Sequence, residues 1–435
     1  MYKLKYNIIL IIAYRLLLDL IYRSEIAPYF GYMHLDDRLT IASLVNSWIV
    51  LAIISFFILP FLKPSEDVAK SCIGVSLYLI RVVPMTSFMA FMPHGSTYLF
   101  YNIVYWVILF LIIDKINFSR ASHGGNPVLL YIITLFSILS VLLVSGLYAN
   151  FRFHFSLADV YDLRDEARTF KVPILLDYMW AATYNIIPVV AVFFIVKKRF
   201  NLAALLLFVG VLNFSINGSK SAFFKILICF ILYFMGHKNL RKIIVPFFFA
   251  LTVVTFGIYL LFDDTFLSTL IVRRVFFVPN QLDTFYYDYI NSHSPLFFNS
   301  EEMAKLTFII GEESFDMFEM RANNGLFSDA YANLGWIGVF IFPLVVGSFI
   351  NIFCKICKKH NQAIIIFSSM IVVITLGSSA FTTCLLTHGL FLLLITLYFM
   401  PSTANENIIH SEKIKHHYGN FKGCESLYVQ HNAHK

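Results

Sequence analysis

Charge is scarce in this sequence. Asp, Glu, Lys and Arg make up 14% of the 435 residues, where a soluble domain carries about a quarter. Cysteine is scarce too: Cys72, Cys229, Cys354, Cys357, Cys384 and Cys424 are the six present. None falls in a segment expected outside the membrane, so no disulfide framework is expected. Cys354 and Cys357 form a lone CxxC with His360 nearby, three donors where a structural zinc site takes four; no metal or other cofactor is expected. Strict alternation of apolar and polar residues over about ten positions is missing, which argues against a membrane β-barrel.

What the chain has instead is apolar length. Hydrophobic residues make up 59%, and stretches such as 201–216 and 243–262 carry almost no charge. About 20 apolar residues cross a hydrocarbon core about 30 Å thick. Inside lipid every backbone N–H and C=O must be satisfied within the segment, so such runs are helices. The expected fold class is an all-α polytopic membrane protein with about 12 spans. They lie near 7–22, 41–62, 70–92, 97–114, 127–149, 173–196, 200–216, 221–236, 243–262, 331–353, 361–380 and 385–400. The N-terminal run resembles a signal peptide, but Arg15 and Asp19 interrupt it and no small-residue cleavage site follows, so it reads as an uncleaved first span.

The net charge of +7 does not point to nucleic acid, because the basic residues cluster beside the apolar runs. Lys3/Lys5, Lys63/Lys70, Lys115/Arg120, Lys197–Arg199, Lys238/Arg241/Lys242 and Lys355/Lys358/Lys359 fall in alternate connections. By the positive-inside rule that side is cytoplasmic, with both termini in it. Residues 1–400 then form the transmembrane bundle and 401–435 a polar, His-rich cytoplasmic tail. The opposite side receives 23–40, 150–172 and the dominant loop 263–330. A long structured loop in a compact protein usually carries function.

The loop opens with Arg273 and Arg274 on an aromatic stretch. Guanidinium groups bind phosphate through charge-assisted forks; binding of ordinary headgroups, or pairing with Asp263, Asp264 or Asp283, is the structural alternative. It continues through Tyr286, Tyr287, Asp288 and His293 to Glu312, Glu313 and Arg321. Tyrosines stack on sugar rings, and a carboxylate or His can serve as general base to a sugar hydroxyl; a solvated acidic loop with an interfacial tyrosine belt would read alike. At its end, Asp329 and Asn333 share a helix face that can look into a cavity, or Asp329 can simply cap. The turn Asn217–Ser221 offers Lys220 beside helix-start amides, an anion site or a plain turn. In 150–172, Arg168 and Lys171 lie nearest the next span. Arg15, Asp19, Arg81, Asp177 and Lys225 fall inside spans, each costing on the order of 2.5–3.5 kcal/mol at a helix centre. Arg15 and Asp19, four apart, should neutralise each other, and Arg81 should pair with Asp177 or Asp19.

Three segments carry a resemblance: RRVFFVPNQLDTFYYDYINSHSPLFF at 273–298, NNGLFSDAYANLGWIGV at 323–339 and INGSKSAFF at 216–224. With the span number and the late outer loop, the chain resembles the Wzy-type O-antigen polymerases, or oligosaccharide repeat-unit polymerases. The resemblance implies a GT-C-like glycosyltransferase of the bacterial inner membrane with its active site facing the periplasm. It would join undecaprenyl-diphosphate-linked oligosaccharides and need neither nucleotide sugar nor metal, with membrane lipid around it and a chain-length regulator as possible partner. On that resemblance Arg273, Arg274, Arg321, Lys220 and Arg168 are diphosphate-binding candidates, His293, Asp288, Glu312, Glu313 and Asp329 catalytic ones, and Tyr286, Tyr287 and Asn333 sugar-binding ones. Lys220 stands where the family often has arginine, which supplies charge without the planar fork. The alternatives are an O-antigen ligase and, from another class, a lipid-linked oligosaccharide flippase. Against a transporter, the connection after the second span reads KPSEDVAK and no long central cytoplasmic loop is present. A membrane acyltransferase lacks its usual polar mid-span motif here, since His388 stands alone.

Overall fold

The long apolar runs are helices. The computed structural model describes residues 2–63, 67–117, 125–154, 160–219, 225, 240–315 and 320–404. Nine helices among them are long and apolar enough to cross a membrane: Ile41–Leu62, Val68–Phe91, Ser96–Lys115, Pro127–Tyr148, Ile174–Val196, Phe200–Asn217, Ile244–Phe262, Trp336–Cys357 and Phe381–Phe399. The chain is therefore a multi-pass, all-helical membrane protein. Tyr2–Ile21 forms a further 20-residue helix where the first span is expected, but three charges crowd its apolar stretch. Gln362–Leu376, at the expected eleventh span, is only 15 residues long. The expected span at 221–236 lies outside the described residues apart from Lys225, as does Lys220.

Two expected boundaries move, both at glycines. Gly335 (φ 56°) separates a short helix, Phe327–Leu334, from the Trp336–Cys357 span, so the span starts five residues later than the apolar run suggests. Gly389 (φ 68°) breaks the last span into Phe381–Leu385 and Leu390–Phe399. Left-handed φ favours glycine because it carries no Cβ to clash.

The chain divides into two units, one of residues 1–122, 239–356 and 366–394, the other of 123–238, 357–365 and 395–435. Within the second, Pro127–Tyr148, Ile174–Val196 and Phe200–Asn217 pack side by side. A buried chain joins the last two: Trp180 donates to Asn213 (2.7 Å) and Asn213 to Thr183 (2.8 Å). Arg152 donates to the carbonyls of Ser215 and Ile216 at the end of Phe200–Asn217 (3.0 and 3.1 Å), satisfying orphan C=O groups with a cation where the helix dipole is negative. Lys225 donates to Asn185 (2.6 Å). Asp177 is exposed in the first turn of Ile174–Val196, where a carboxylate suits the dipole.

Within the first unit, Thr40 starts the Ile41–Leu62 helix with a capping box to Ser43. Arg15 and Asp19 form the expected ion pair. Arg15 also donates to Thr86 Oγ1 (3.1 Å), Thr86 O (2.9 Å) and Ser47 (3.1 Å), so the buried guanidinium meets acceptors on two neighbouring spans. Arg81 corrects an expectation. Its partner is neither Asp177 nor Asp19 but Asp283, at 2.7 Å. Arg15 occupies Asp19, and the long loop brings Asp283 to Arg81.

Candidate functional site

The dominant loop is mostly helical. After Ile244–Phe262 the chain forms a wide π-helical segment, Ser268–Phe277, that runs into the Val278–Ser292 helix. Pro279 sits in the first turn of the latter, where its missing N–H costs nothing. Ser300–Phe315 and Phe327–Leu334 follow.

Arg81 holds this assembly to the bundle. It lies in a π turn, Tyr78–Val82, just before Pro84 in the Val68–Phe91 span; π turns and prolines are where long helices deform, frequently at functional sites. Asp283 also accepts from Asn324 Nδ2 (2.9 Å) and Ser328 N (3.2 Å). Arg81 Nη1 faces Gly377 O (3.4 Å) and Asn324 Oδ1 (3.5 Å). Burial pushes the Asp283 carboxyl up to about 6, against the opposing pull of Arg81 and Ser328. The pair thus ties Val68–Phe91 (the expected third span), the Val278–Ser292 loop helix and the 324–328 turn together. Leu326 in that turn holds a left-handed φ of 58°, and Gly325 packs so tightly that an added Cβ would fall 2.3 Å from Ser379 O.

Beside this anchor lies a pocket of about 290 Å³. His34 and Arg38 come from the segment after the first helix, Met92 and His94 from the end of the third span, Gln281, Thr284 and Phe285 from the loop helix, and Glu313 from Ser300–Phe315. Local geometry fixes this wall. Arg38 N donates to Phe91 O (2.9 Å), and Asp36 takes one edge of its guanidinium (2.8 Å). His94 Nδ1 lies 3.0 Å from Met92 O, and its Nε2 3.8 Å from Asp288. Gln281 donates to Met33 O (2.5 Å) and His34 O (3.2 Å), clamping His34 at φ 60°.

Of the carboxylates and histidine singled out from sequence, the pocket gathers Glu313, with Asp288 beside His94. Glu312 is exposed. His293 is exposed and stacks on Tyr289 at 4.0 Å. Asp329 is buried and committed: Phe381 N donates to one oxygen (2.6 Å) and Asn333 Nδ2 to the other (2.8 Å). Burial raises its carboxyl to about 6. Asn333 in turn accepts from Phe298 N (3.1 Å), so the shared face of Asp329 and Asn333 staples loops together. Tyr286 is buried and donates to Ala322 O (2.8 Å). Tyr287 is half-buried against Tyr98 and Tyr331, with ring centroids at 5.0 and 4.9 Å.

The arginine candidates scatter. Arg273 is buried with its guanidinium 4.3 Å from the Phe30 ring and Nη1 3.4 Å from Met33 Sδ. Arg274 is exposed, so the adjacent arginines do not present one face. Arg321 is exposed over Phe308 (4.9 Å), and Arg168, in the other unit, is exposed beside Asp165 (3.0 Å). The sequence reading missed His34, Arg38 and His94, which lie in two short connections and become neighbours only when the loop helix closes over them. The His34–Asp36–Arg38 alternation in a short connecting segment was the available signal. Among the described residues no group of three or more His, Cys, Asp or Glu side chains is gathered as a metal site. Cys72, Cys354, Cys357 and Cys384 are buried.

No protein-family model matches the chain, and neither a curated protein nor a solved structure shows significant similarity to it.

Proposed function

We propose that the chain is a glycosyltransferase that polymerises undecaprenyl-diphosphate-linked oligosaccharide repeat units into O-antigen or a related surface polysaccharide. Its site faces the periplasm of a bacterial inner membrane, in a GT-C-like arrangement of about 12 spans. One observation carries the reading: the late loop, the segment with the family resemblance, walls a pocket whose lining mixes donors for phosphate, acceptors for hydroxyls and an aromatic face.

In this reaction an acceptor hydroxyl oxygen bonds to the anomeric carbon of the donor. The carbon–oxygen bond to the diphosphate breaks, and the electron pair leaves with it. The hydroxyl proton passes to a base, and Glu313, whose carboxylate lines the pocket, takes that role. Fixed donors at the leaving oxygen matter because charge grows there in the transition state. Asp329 does not suit the role of base, because both its oxygens already accept hydrogen bonds.

The test is genetic. Deleting the gene should remove the lipopolysaccharide ladder and leave core carrying one repeat unit, and Glu313→Gln, stably expressed, should fail to restore it. Core with no repeat unit, while polymer accumulates on the lipid carrier, would make the protein a ligase. Repeat units held in the cytoplasmic leaflet would make it a flippase. An unchanged ladder would sink the O-antigen reading.

A further inference from the structure

We propose that the phosphate-binding part of this pocket is built by Arg38, His34 and His94, and not by the arginine pair at 273–274. On the polymerase reading, on which the choice of ligand rests, the group held is the diphosphate of the lipid-linked donor.

The arginine pair fails on geometry. Consecutive residues of a helical segment point in directions that differ by roughly a quarter turn or more. Arg273 is accordingly buried against Phe30 while Arg274 faces outward, and no single anion meets both. The three pocket residues come from two separate connections, yet all line one cavity. Arg38 offers N–H donors of the kind phosphate oxygens accept, and an imidazole ring does so in its protonated form.

Their placement is over-determined. The Arg38 backbone is tied to the end of the third span through Phe91 O. Asp36 occupies Nη2 of its guanidinium, and the Nε and Nη1 edge makes no hydrogen bond among the described residues. The side chain is 62% exposed, so an arriving anion can reach that edge. His34 stands in a left-handed conformation that few non-glycine residues adopt. That conformation caps the Gly31–Met33 turn, where His34 N donates to Gly31 O (3.0 Å). Here Gln281, buried in the loop helix, enforces it with two hydrogen bonds. Those bonds also settle which end of the Gln281 amide is which. Among the described residues its Oε1 accepts no hydrogen bond, and the residue lines the same cavity. A ligand bearing hydroxyls beside its phosphate suits both features, as a glycosyl diphosphate does.

The direct test uses purified protein in detergent and inorganic diphosphate as the probe, with binding read from thermal unfolding and calorimetry. Diphosphate should raise the unfolding temperature of the wild type. Arg38→Ala and His94→Gln should each weaken binding at least tenfold, Arg38→Lys by less, and Lys305→Ala, on an exposed helix face, not at all. No diphosphate response in the wild type would overturn the proposal, as would Arg38→Ala binding like wild type while Arg274→Ala loses binding. His94→Gln keeps the test decisive if Arg38→Ala does not fold. Displacement by undecaprenyl diphosphate but not by phosphatidylglycerol micelles would support the carrier as the ligand, and displacement by phosphatidylglycerol alone would refute it. A deletion that leaves the ladder unchanged, with diphosphate binding still dependent on Arg38, would sink the polymerase reading and spare the site; a lost ladder with binding independent of Arg38 would do the reverse.

Discussion

Cutting one partner out of the Arg81–Asp283 pair should cost far more than cutting both. The two side chains are 1% and 2% exposed and 2.7 Å apart. Breaking a buried pair from one side leaves a charge without its counter-charge, at about 3–5 kcal/mol, whereas replacing both with apolar groups of similar volume is often neutral. The two single variants should also differ. With Arg81→Met, Asp283 keeps Asn324 and Ser328 as donors and can shed its charge by taking a proton, since burial already holds it near 6. With Asp283→Leu, the guanidinium keeps its proton and retains Gly377 O and Asn324 Oδ1 at 3.4 and 3.5 Å, while its Nε meets no acceptor among the described residues. Asp283→Leu is therefore expected near the upper end of that range, Arg81→Met near the lower, and the double variant within about 1–2 kcal/mol of wild type. Denaturant unfolding of the detergent-solubilised protein, as a double-mutant cycle, measures all three. Two single variants within about 0.5 kcal/mol of wild type, or a double variant as damaged as the sum, would refute the reasoning.

Asp283 and Asp329 have folded-state carboxyls raised to about 6 from the ordinary 3.8. For a raised acid the folded chain binds the proton more tightly than the unfolded one, so the stabilisation is full below about 4 and is lost as pH rises through about 6. Stability measured from pH 5 to 7.5 should fall with rising pH by about 1–1.5 kcal/mol for Asp329 alone; Asp329→Asn should flatten its share whatever the baseline, and an unchanged slope would contradict the assignment. Gly325→Ala would place its Cβ 2.3 Å from Ser379 O and 2.5 Å from Leu376 O, both backbone atoms that cannot step aside. It should cost about 3 kcal/mol or more, read as a lower unfolding temperature, and a neutral result would mean the 325–328 turn is looser than described.

The helices were legible because lipid imposes one rule on every span, and that rule is written locally. Apolar runs predict Ile41–Leu62 and Pro127–Tyr148 almost to the residue. Arg15 and Asp19 were legible for the same reason, being one helical turn apart. Arg81 was not: 202 residues separate it from Asp283, and no local pattern spans that gap. The pocket was illegible in kind, since its wall comes from four stretches that only packing brings together. The long loop stands out by its length, but within it the eye falls on conspicuous runs such as RR and YYDY. Arg273 turned out to serve as a buried contact to Phe30, and Tyr286 as a hydrogen-bonded strut to Ala322.

The third span has a consequence for how the protein is made. Val68–Phe91 has the lowest mean hydropathy of the nine candidate spans, and its apolar window is wholly buried. It carries a guanidinium whose counter-ion is encoded 202 residues later. At roughly 5–20 residues per second, the ribosome delivers Asp283 some 10–40 s after Arg81 has left the tunnel. For that interval the helix has neither its ion pair nor its full covering of neighbours, so it should enter the bilayer late or remain at the translocon in the care of an insertase. The loop helix would then be the piece whose arrival seals the bundle during biogenesis.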